Sequence, residues 1–141
     1  MVPLGIDREK MMLQLERLEE HLERLLKIRA KLQASKDDTF FSAAERLLQV
    51  SIEDCLNIGN HIISGLGLRR PDTYREIFSR LKEAKIISGK IGDAMEGLAS
   101  FRNRLVHLYW KVSNEEIMEK LEDIDVLKKF VAQISKYVEN N

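Results

Sequence analysis

Apolar residues recur at intervals of three and four along almost the whole chain. The first run, from Met11 to Leu32, forms one apolar stripe, and charged residues fill most of the other positions around it. This spacing is typical of an amphipathic α-helix, and Asp7 is a suitable N-cap, so the pattern predicts a helix from about residue 8 to about residue 34. No segment alternates apolar and polar residues with the period of two that is typical of an exposed strand.

Later helices are predicted from their start and stop signals. The second helix has a broader apolar band than the first, which predicts a more central position, and it ends at Gly65 and Gly67. Ser88-Gly89 separates a short third helix from a fourth, and the apolar residues from Ile117 to Val138 predict one last helix. Sequences of the capping-box type mark three of the starts, at Ser42–Glu45, Thr73–Glu76 and Ser113–Glu116.

Together these elements predict an all-α fold, an antiparallel four-helix up-and-down bundle plus one short extra helix. With 141 residues, only 2 Pro and 7 Gly, and 44% hydrophobic residues, the chain suits a single helical domain over residues 1–141.

Charge is balanced overall but unevenly distributed. The 23 Lys and Arg residues match the 23 Asp and Glu residues, which argues against a uniformly basic nucleic-acid binder. The net charge is −2 over residues 1–68, +5 over 69–111 and −3 over 112–141. The basic middle third is compatible with a local site for a few phosphates, although a solvated surface of mixed charge explains it equally well.

Several classes of protein are disfavoured. A single cysteine, Cys55, allows neither an internal disulfide nor a zinc site of cysteine type, and it falls in an apolar stripe typical of a small core residue. No apolar run reaches the roughly 20 residues that span a membrane, and the N-terminus lacks the pattern of a signal peptide. Glu-x-x-His pairs and Gly-rich phosphate loops do not occur. We therefore expect a soluble cytoplasmic protein without a metal or cofactor and without a membrane or DNA partner.

The segment from Phe101 to Trp110 carries the residues suited to chemistry. Arg102 supplies a permanent charge and a fork of donors matched to phosphate, and His107 is the residue type whose pKa suits acid and base work near neutrality. Such a pair is the minimum set for RNA cleavage without a metal, and Asn103, Arg104 and Lys111 are candidates for binding the substrate.

The spacing of the pair leaves alternatives open. Residues five apart point about 140° apart on an ideal helix. Either the helix loosens near its end, or Arg102 and His107 line different walls of one cleft, or a two-fold dimer brings both sets together. By spacing alone, the capping of helix carbonyls by an Arg and a His explains the residues better than catalysis does.

Other polar residues border the apolar band of the second helix. Glu53, Asn57 and His61 are candidates for lining a cleft, although an exposed or hydrogen-bonded His61 is the simpler interpretation. His21 lies among Glu residues and is expected to be solvated. Tyr109 could serve only in packing, and Trp110 is expected to be a core or interface anchor.

The sequence Arg102-x4-His107-x-Tyr109 resembles the signature of the HEPN superfamily, specifically its HepT-like toxin branch. The resemblance covers roughly residues 8–138 and includes Asn103 as the polar residue usual after the Arg, the second helix around 46–63, the short helix from Thr73, and the exit loop from Tyr109 to Val112.

The resemblance implies a homodimeric helical bundle that acts as a metal-independent endoribonuclease, the toxin of a toxin–antitoxin module. Its antitoxin would be a minimal nucleotidyltransferase that silences the toxin by transferring AMP to the motif tyrosine. By position, Arg102 would bind phosphate, His107 would be the acid or base, and Tyr109 would accept AMP, whose charge and bulk would repel RNA.

Two other functions stay open. The chain could be a non-catalytic HEPN domain that binds a partner or substrate beside a nucleotidyltransferase. It could also be a plain helical interaction protein that dimerises through a bundle face, since the first helix has enough apolar period for a coiled-coil seam.

Overall fold

The computed structural model describes residues 5–140, and these contain six α-helices, one 3₁₀ helix and no strand. The predicted all-α class is therefore confirmed. The N-terminal residues 1–4, part of the segment read for a targeting signal, lie outside the described residues. The helices are α1 (Arg8–Ala34), α2 (Asp38–Leu66), α3 (Tyr74–Glu83), α4 (Gly89–His107), α5 (Asn114–Leu121) and α6 (Ile124–Asn140), with the 3₁₀ helix (Tyr109–Lys111) between α4 and α5.

The four long helices form the bundle, and α2 lies at its centre, as the width of its apolar band predicts. It packs against α1, α3, α4 and α5, while α1 also packs against α6. The apolar stripe from Met11 to Leu32 is buried throughout, and Cys55 is fully buried in the core. Among residues 5–140, no helix is long and apolar enough to cross a membrane.

Most of the predicted caps are confirmed, but α2 begins earlier than its capping-box sequence predicts. Asp7, Thr73 and Ser113 each accept a hydrogen bond from a backbone N–H in the first turn. In α2, however, the side chain of Asp37 accepts from the N–H of Thr39 at 2.7 Å, and Ser42 lies inside the helix. Buried Phe41 belongs to the same apolar face as the rest of α2, which explains why the helix extends back to residue 38.

The predicted last helix is two helices. The N–H groups of Glu122 and Asp123 bond to carbonyls three residues back, which tightens the chain into a turn before α6 begins. Leu121 and Ile124 on either side of the turn are both buried. Because the apolar residues keep steps of three and four across the turn, the sequence pattern alone predicts one continuous helix.

His21 is not solvated as expected. Its Nδ1 lies 2.6 Å from Oδ2 of Asp54, and the two side chains join α1 to α2 while only 20% and 12% exposed. Burial raises the pKa of Asp54 above its ordinary value, an effect that the hydrogen bond with His21 opposes. A polar pair thus lies at the edge of an otherwise apolar helix interface.

Gly67 ends α2 in a left-handed conformation, with φ 67°, and its N–H bonds to carbonyls of the last turn. Gly97 lies in the interior of α4, and a Cβ at either position would meet no atom within 4 Å. The Gly67→Ala variant should therefore lose about 1 kcal/mol of unfolding free energy, because Ala disfavours this conformation. Gly97→Ala should gain about 0.5–1 kcal/mol from helix propensity.

Urea denaturation of the two variants and the wild type measures this difference, and the Gly97 variant controls for the added methyl group. Equal changes in both variants would contradict the left-handed end of α2.

Candidate functional site

The end of α4 remains helical through His107, since the N–H of Leu108 still bonds to the carbonyl of Arg104 at 2.8 Å. Asn103 and His107 are four residues apart and therefore lie on one face of the helix. Arg102 points to a different side, as its five-residue separation from His107 predicts. The helix does not loosen to bring Arg102 and His107 together, so one of the three alternatives is removed.

Asn103 and His107 line a cleft of about 550 Å³ between α2, α3 and α4. The exposed imidazole of His107 lies at this cleft, and no hydrogen bond or ion pair within residues 5–140 uses it. The lining residues are Asn60, Arg70, Pro71, Asp72, Thr73, Tyr74, Ile77, Asn103 and His107. Across the described part of the chain, no group of three or more potential metal ligands is arranged to hold an ion.

Arg102 lies beside this cleft and is held from three sides. Its Nε and Nη2 donate to Oε2 of Glu53 at 3.0 and 2.7 Å, and its Nη1 donates to Oδ1 of Asn103 at 3.2 Å. The guanidinium also lies 4.9 Å from the ring centroid of Tyr74. Two of these partners, Asn103 and Tyr74, themselves line the cleft, so the charge of Arg102 is fixed at its edge.

Arg104 has a structural partner instead of an open position for substrate. Its guanidinium donates to both carboxylate oxygens of Glu116 in α5, and Nη2 also donates to the carbonyl of Lys111 at 3.3 Å. The hydrogen bond with Glu116 raises the pKa of Arg104. The predicted substrate contact of Arg104 therefore does not fit this arrangement, which instead fastens the segment after α4 to α5. Lys111 is exposed and remains a candidate.

Tyr109 and Trp110 are large hydrophobic residues that are mostly exposed, at 62% and 65%. Their rings meet edge to face, with centroids 5.4 Å apart. Trp110 is therefore not a core residue, and Tyr109 does not serve in packing against the core. Together with Leu108, at 38% exposed, they form an apolar surface immediately after His107, which we call the post-helix patch.

The three candidates on α2 take different positions from those predicted. Glu53 holds Arg102 and does not line the cleft, and Asn57 is exposed outside it. His61 accepts a hydrogen bond from the N–H of Asp7, the N-cap residue of α1, at 3.1 Å, and so fastens the start of α1 to α2. Asn60, one position before His61, lines the cleft instead. Which polar residue of α2 lines the cleft depends on how α2 packs against α3 and α4, and the spacing of polar residues in the sequence does not determine this packing.

The lining residues from α3 and from the connection before it, among them Arg70 and Tyr74, were missed by sequence reasoning. Arg70 follows α2 in the connection to α3, and Tyr74 is the first residue of α3. The basic excess of residues 69–111 included Arg70, and the Thr73 capping box located the start of α3. Neither signal shows that this connection folds back against the end of α4.

Fold and site together define a small all-helical protein that places an Arg and a His from one segment at a cleft and leaves the following Tyr exposed. A family model described as ribonuclease HepT-like matches residues 14–134. The chain therefore belongs to the ribonuclease HepT-like family, which confirms the resemblance seen in its sequence.

Related sequences and solved structures agree with this assignment. The chain is 30% identical to YutE of Bacillus subtilis (strain 168) over 98 residues, which are 69% of this chain and 68% of YutE. It is 27% identical over 95 residues to the tRNA nuclease HepT of Aphanizomenon flos-aquae, covering 67% and 65% of the two chains. A structure of YutE, described as a cytosolic protein, superposes with a TM-score of 0.82 at 26% identity, over 96% of this chain and 93% of that one.

A second structure shows the same fold in a toxin. The tri-AMPylated HEPN toxin of Shewanella oneidensis, in complex with its MNT antitoxin, superposes with a TM-score of 0.82 at 20% identity. The match covers 89% of this chain and 96% of that chain. The HEPN-type helical architecture predicted from the sequence is therefore confirmed.

Proposed function

We propose that this protein is the toxin of a toxin–antitoxin module and a metal-independent endoribonuclease that acts in the cytoplasm. The observation that carries the proposal is the placement of His107, exposed and without a hydrogen-bond partner within residues 5–140, in a cleft whose edge holds the Arg102 guanidinium. Membership of the HepT-like family and similarity to a tRNA nuclease support RNA as the substrate.

The proposed reaction is transesterification at a phosphodiester. The 2′-oxygen loses its proton and attacks phosphorus, the bond to the 5′-oxygen breaks, and that oxygen takes up a proton. His107 exchanges one of these protons, while Arg102 stabilises the negative charge that grows on the phosphoryl oxygens. The products are a 2′,3′-cyclic phosphate and a 5′-hydroxyl. Asn103, on the same helix face as His107, donates to the bound RNA from its amide.

A second proton-transfer group would come from a second copy of the chain. The post-helix patch follows His107 directly, and its exposed Tyr109 and Trp110 are typical anchors of a protein interface. A two-fold axis near this patch would bring the His107 residues of both copies to one RNA strand. One imidazole would then act as base and the other as acid.

We also propose that a minimal nucleotidyltransferase antitoxin silences the enzyme by transferring AMP to Tyr109. The phenol is on an exposed ring two residues beyond the catalytic His107, so an attached AMP would add negative charge beside the cleft and repel RNA. The tri-AMPylated state of the structurally similar Shewanella toxin supports this regulation.

Incubation with ATP and the proposed nucleotidyltransferase antitoxin should add AMP to the wild-type protein, and Tyr109→Phe should remove the first addition. Intact-mass spectrometry followed by peptide mapping measures both. Tyr74→Phe is the matched control and should be modified like the wild type. A first adduct on Tyr74 or Tyr137 would contradict the assignment.

The proposed activity is tested by incubating the purified protein with single-stranded RNA in EDTA. Cleavage is expected to proceed, because none of the proposed steps uses a metal ion. Cleavage that EDTA abolishes and Mg²⁺ restores would contradict the proposal.

The alternative of a non-catalytic partner-binding domain has one observation in its favour. Arg102 is paired with Glu53 and turned away from His107 by the geometry of α4. Tight binding to a nucleotidyltransferase together with no cleavage of any RNA, by a monodisperse protein, would favour this function.

A further inference from the structure

The cleft at His107 extends well beyond the proposed catalytic side chains of Arg102 and His107. We infer that it binds one nucleoside unit of the RNA next to the cleaved phosphate, with Tyr74 stacking on the base and Asn60 and Asn103 reading its edge. Arg70 then contacts the adjoining phosphate. This inference deepens the proposed ribonuclease function and rests on it for the identity of the ligand as RNA.

The size and the apolar surfaces of the cleft fit a base and its ribose. Its volume of about 550 Å³ falls within the range of roughly 300–1,000 Å³ that is usual for sites of small ligands. The apolar lining comes from Pro71, Tyr74 and Ile77, and the aromatic ring of Tyr74 is the flat part of it. A flat aromatic surface next to a polar cleft is what proteins use to hold an unstacked base of single-stranded RNA.

Tyr74 is held in place and still accessible. The guanidinium of Arg102 lies 4.9 Å from its ring centroid, and the residue nevertheless stays 44% exposed. Arg102 covers part of the Tyr74 ring, and Tyr74 also lines the cleft. The exposed remainder of the ring is therefore open to a ligand in the cleft. A base stacked there would lie next to the Arg102 charge, which places the phosphate attached to that nucleoside near the catalytic pair.

The polar groups suit the edge of a base. An asparagine amide offers both donors and an acceptor, so it can pair with the mixed donor and acceptor pattern of a base edge. The side chain of Asn60 takes part in no hydrogen bond within residues 5–140, and Asn103 accepts only from Arg102, so its amide donors are available.

The balanced charge of the cleft favours binding of one nucleoside and one phosphate over binding of a polyphosphate. Arg70 and Asp72 both line it, so the cationic and anionic contributions of this wall offset each other. Within the described residues Arg70 forms no ion pair, so the donors of its guanidinium are available for a single phosphate. Asp72 can accept from a ribose hydroxyl or from a base amino group.

The test measures binding of labelled homopolymers of A, C, G and U whose 2′-hydroxyls are methylated and which therefore cannot be cleaved. Fluorescence anisotropy gives the Kd of the wild type and of Tyr74→Leu, Asn60→Ala and Arg70→Ala. Arg69→Ala is the matched control, because it removes the same charge from an exposed neighbour that does not line the cleft.

The wild type should prefer some bases over others. Tyr74→Leu should bind all four homopolymers at least about fivefold more weakly, the low end of base–aromatic stacking, and Tyr74→Trp should restore binding. Asn60→Ala should reduce the preference among bases. Arg70→Ala should weaken binding to every homopolymer alike, and Arg69→Ala should leave it within about twofold.

Unchanged Kd values for the Tyr74, Asn60 and Arg70 variants, an equal loss in Arg69→Ala, or no RNA binding by the wild type would each overturn the inference. Its failure is distinguishable from that of the ribonuclease proposal. If the wild type cleaves RNA and the variants bind RNA as the wild type does, only the nucleoside site is contradicted. If binding depends on the base and needs Tyr74 but no RNA is cleaved, only the ribonuclease proposal is contradicted.

Discussion

Replacing His107 with Gln should lower the rate of RNA cleavage by about 10²–10⁴-fold, the usual contribution of a positioned acid or base. Gln keeps a polar side chain of similar reach but cannot exchange a proton near neutral pH. The imidazole is exposed and has no hydrogen bond within residues 5–140, so its replacement should leave the free energy of unfolding within about 0.5 kcal/mol of the wild type.

Initial rates at saturating RNA measure this effect, and His61→Gln is the matched control. His61 accepts from the N–H of Asp7 and does not line the cleft, so its variant should retain the rate of the wild type. Equal rates for His107→Gln and the wild type would remove His107 from the mechanism.

Replacing Arg102 with Ala should affect both activity and stability. The loss of the cation at the edge of the cleft should lower the cleavage rate by about 10²–10³-fold, as for other groups that stabilise charge in a transition state. The carboxylate of Glu53 would lose the two Arg102 donors to its Oε2 and keep only the longer contact from Nε2 of Gln49 at 3.4 Å, and this should cost about 1–3 kcal/mol of unfolding free energy. Rate measurements and urea denaturation record the two effects separately.

Glu53→Gln separates the role of Arg102 in cleavage from its role in stability. It keeps the guanidinium and the approximate shape of the pair, so stability should fall while the rate falls less than in Arg102→Ala. Arg102→Lys keeps the charge but cannot reach Glu53, Asn103 and the Tyr74 ring together, so it should restore only part of the rate. An Arg102→Ala enzyme with the full wild-type rate would make Arg102 a structural residue only.

The helices could be predicted from the sequence because apolar spacing and local caps are properties of neighbouring residues. Asp7, Thr73 and Ser113 cap as their sequences predict. The errors came where a local signal was ambiguous. A capping-box sequence at Ser42 occurs inside α2, and the turn at Glu122-Asp123 leaves the apolar spacing unbroken.

Contacts across helices were beyond sequence reasoning. Arg102 and His107 could be selected from residue chemistry and the resemblance, but the partners of Arg102 lie on three different segments, in α2, α3 and α4. The partners of Arg104 and His61 could not be predicted for the same reason, since Glu116 and Asp7 approach them only in the folded chain. Periodicity identifies a polar face but not the residue it meets.

Analysis of the RNA ends tests the proposed chemistry most directly. The wild-type protein and His107→Gln are incubated with a defined RNA in EDTA, and the termini of the fragments are determined by mass spectrometry. Attack by the 2′-oxygen predicts a 2′,3′-cyclic phosphate and a 5′-hydroxyl in the wild-type sample, and the variant should form these ends about 10²–10⁴-fold more slowly. Fragments with 3′-hydroxyl and 5′-phosphate ends, or the same fragments formed at the same rate by both proteins, would contradict it.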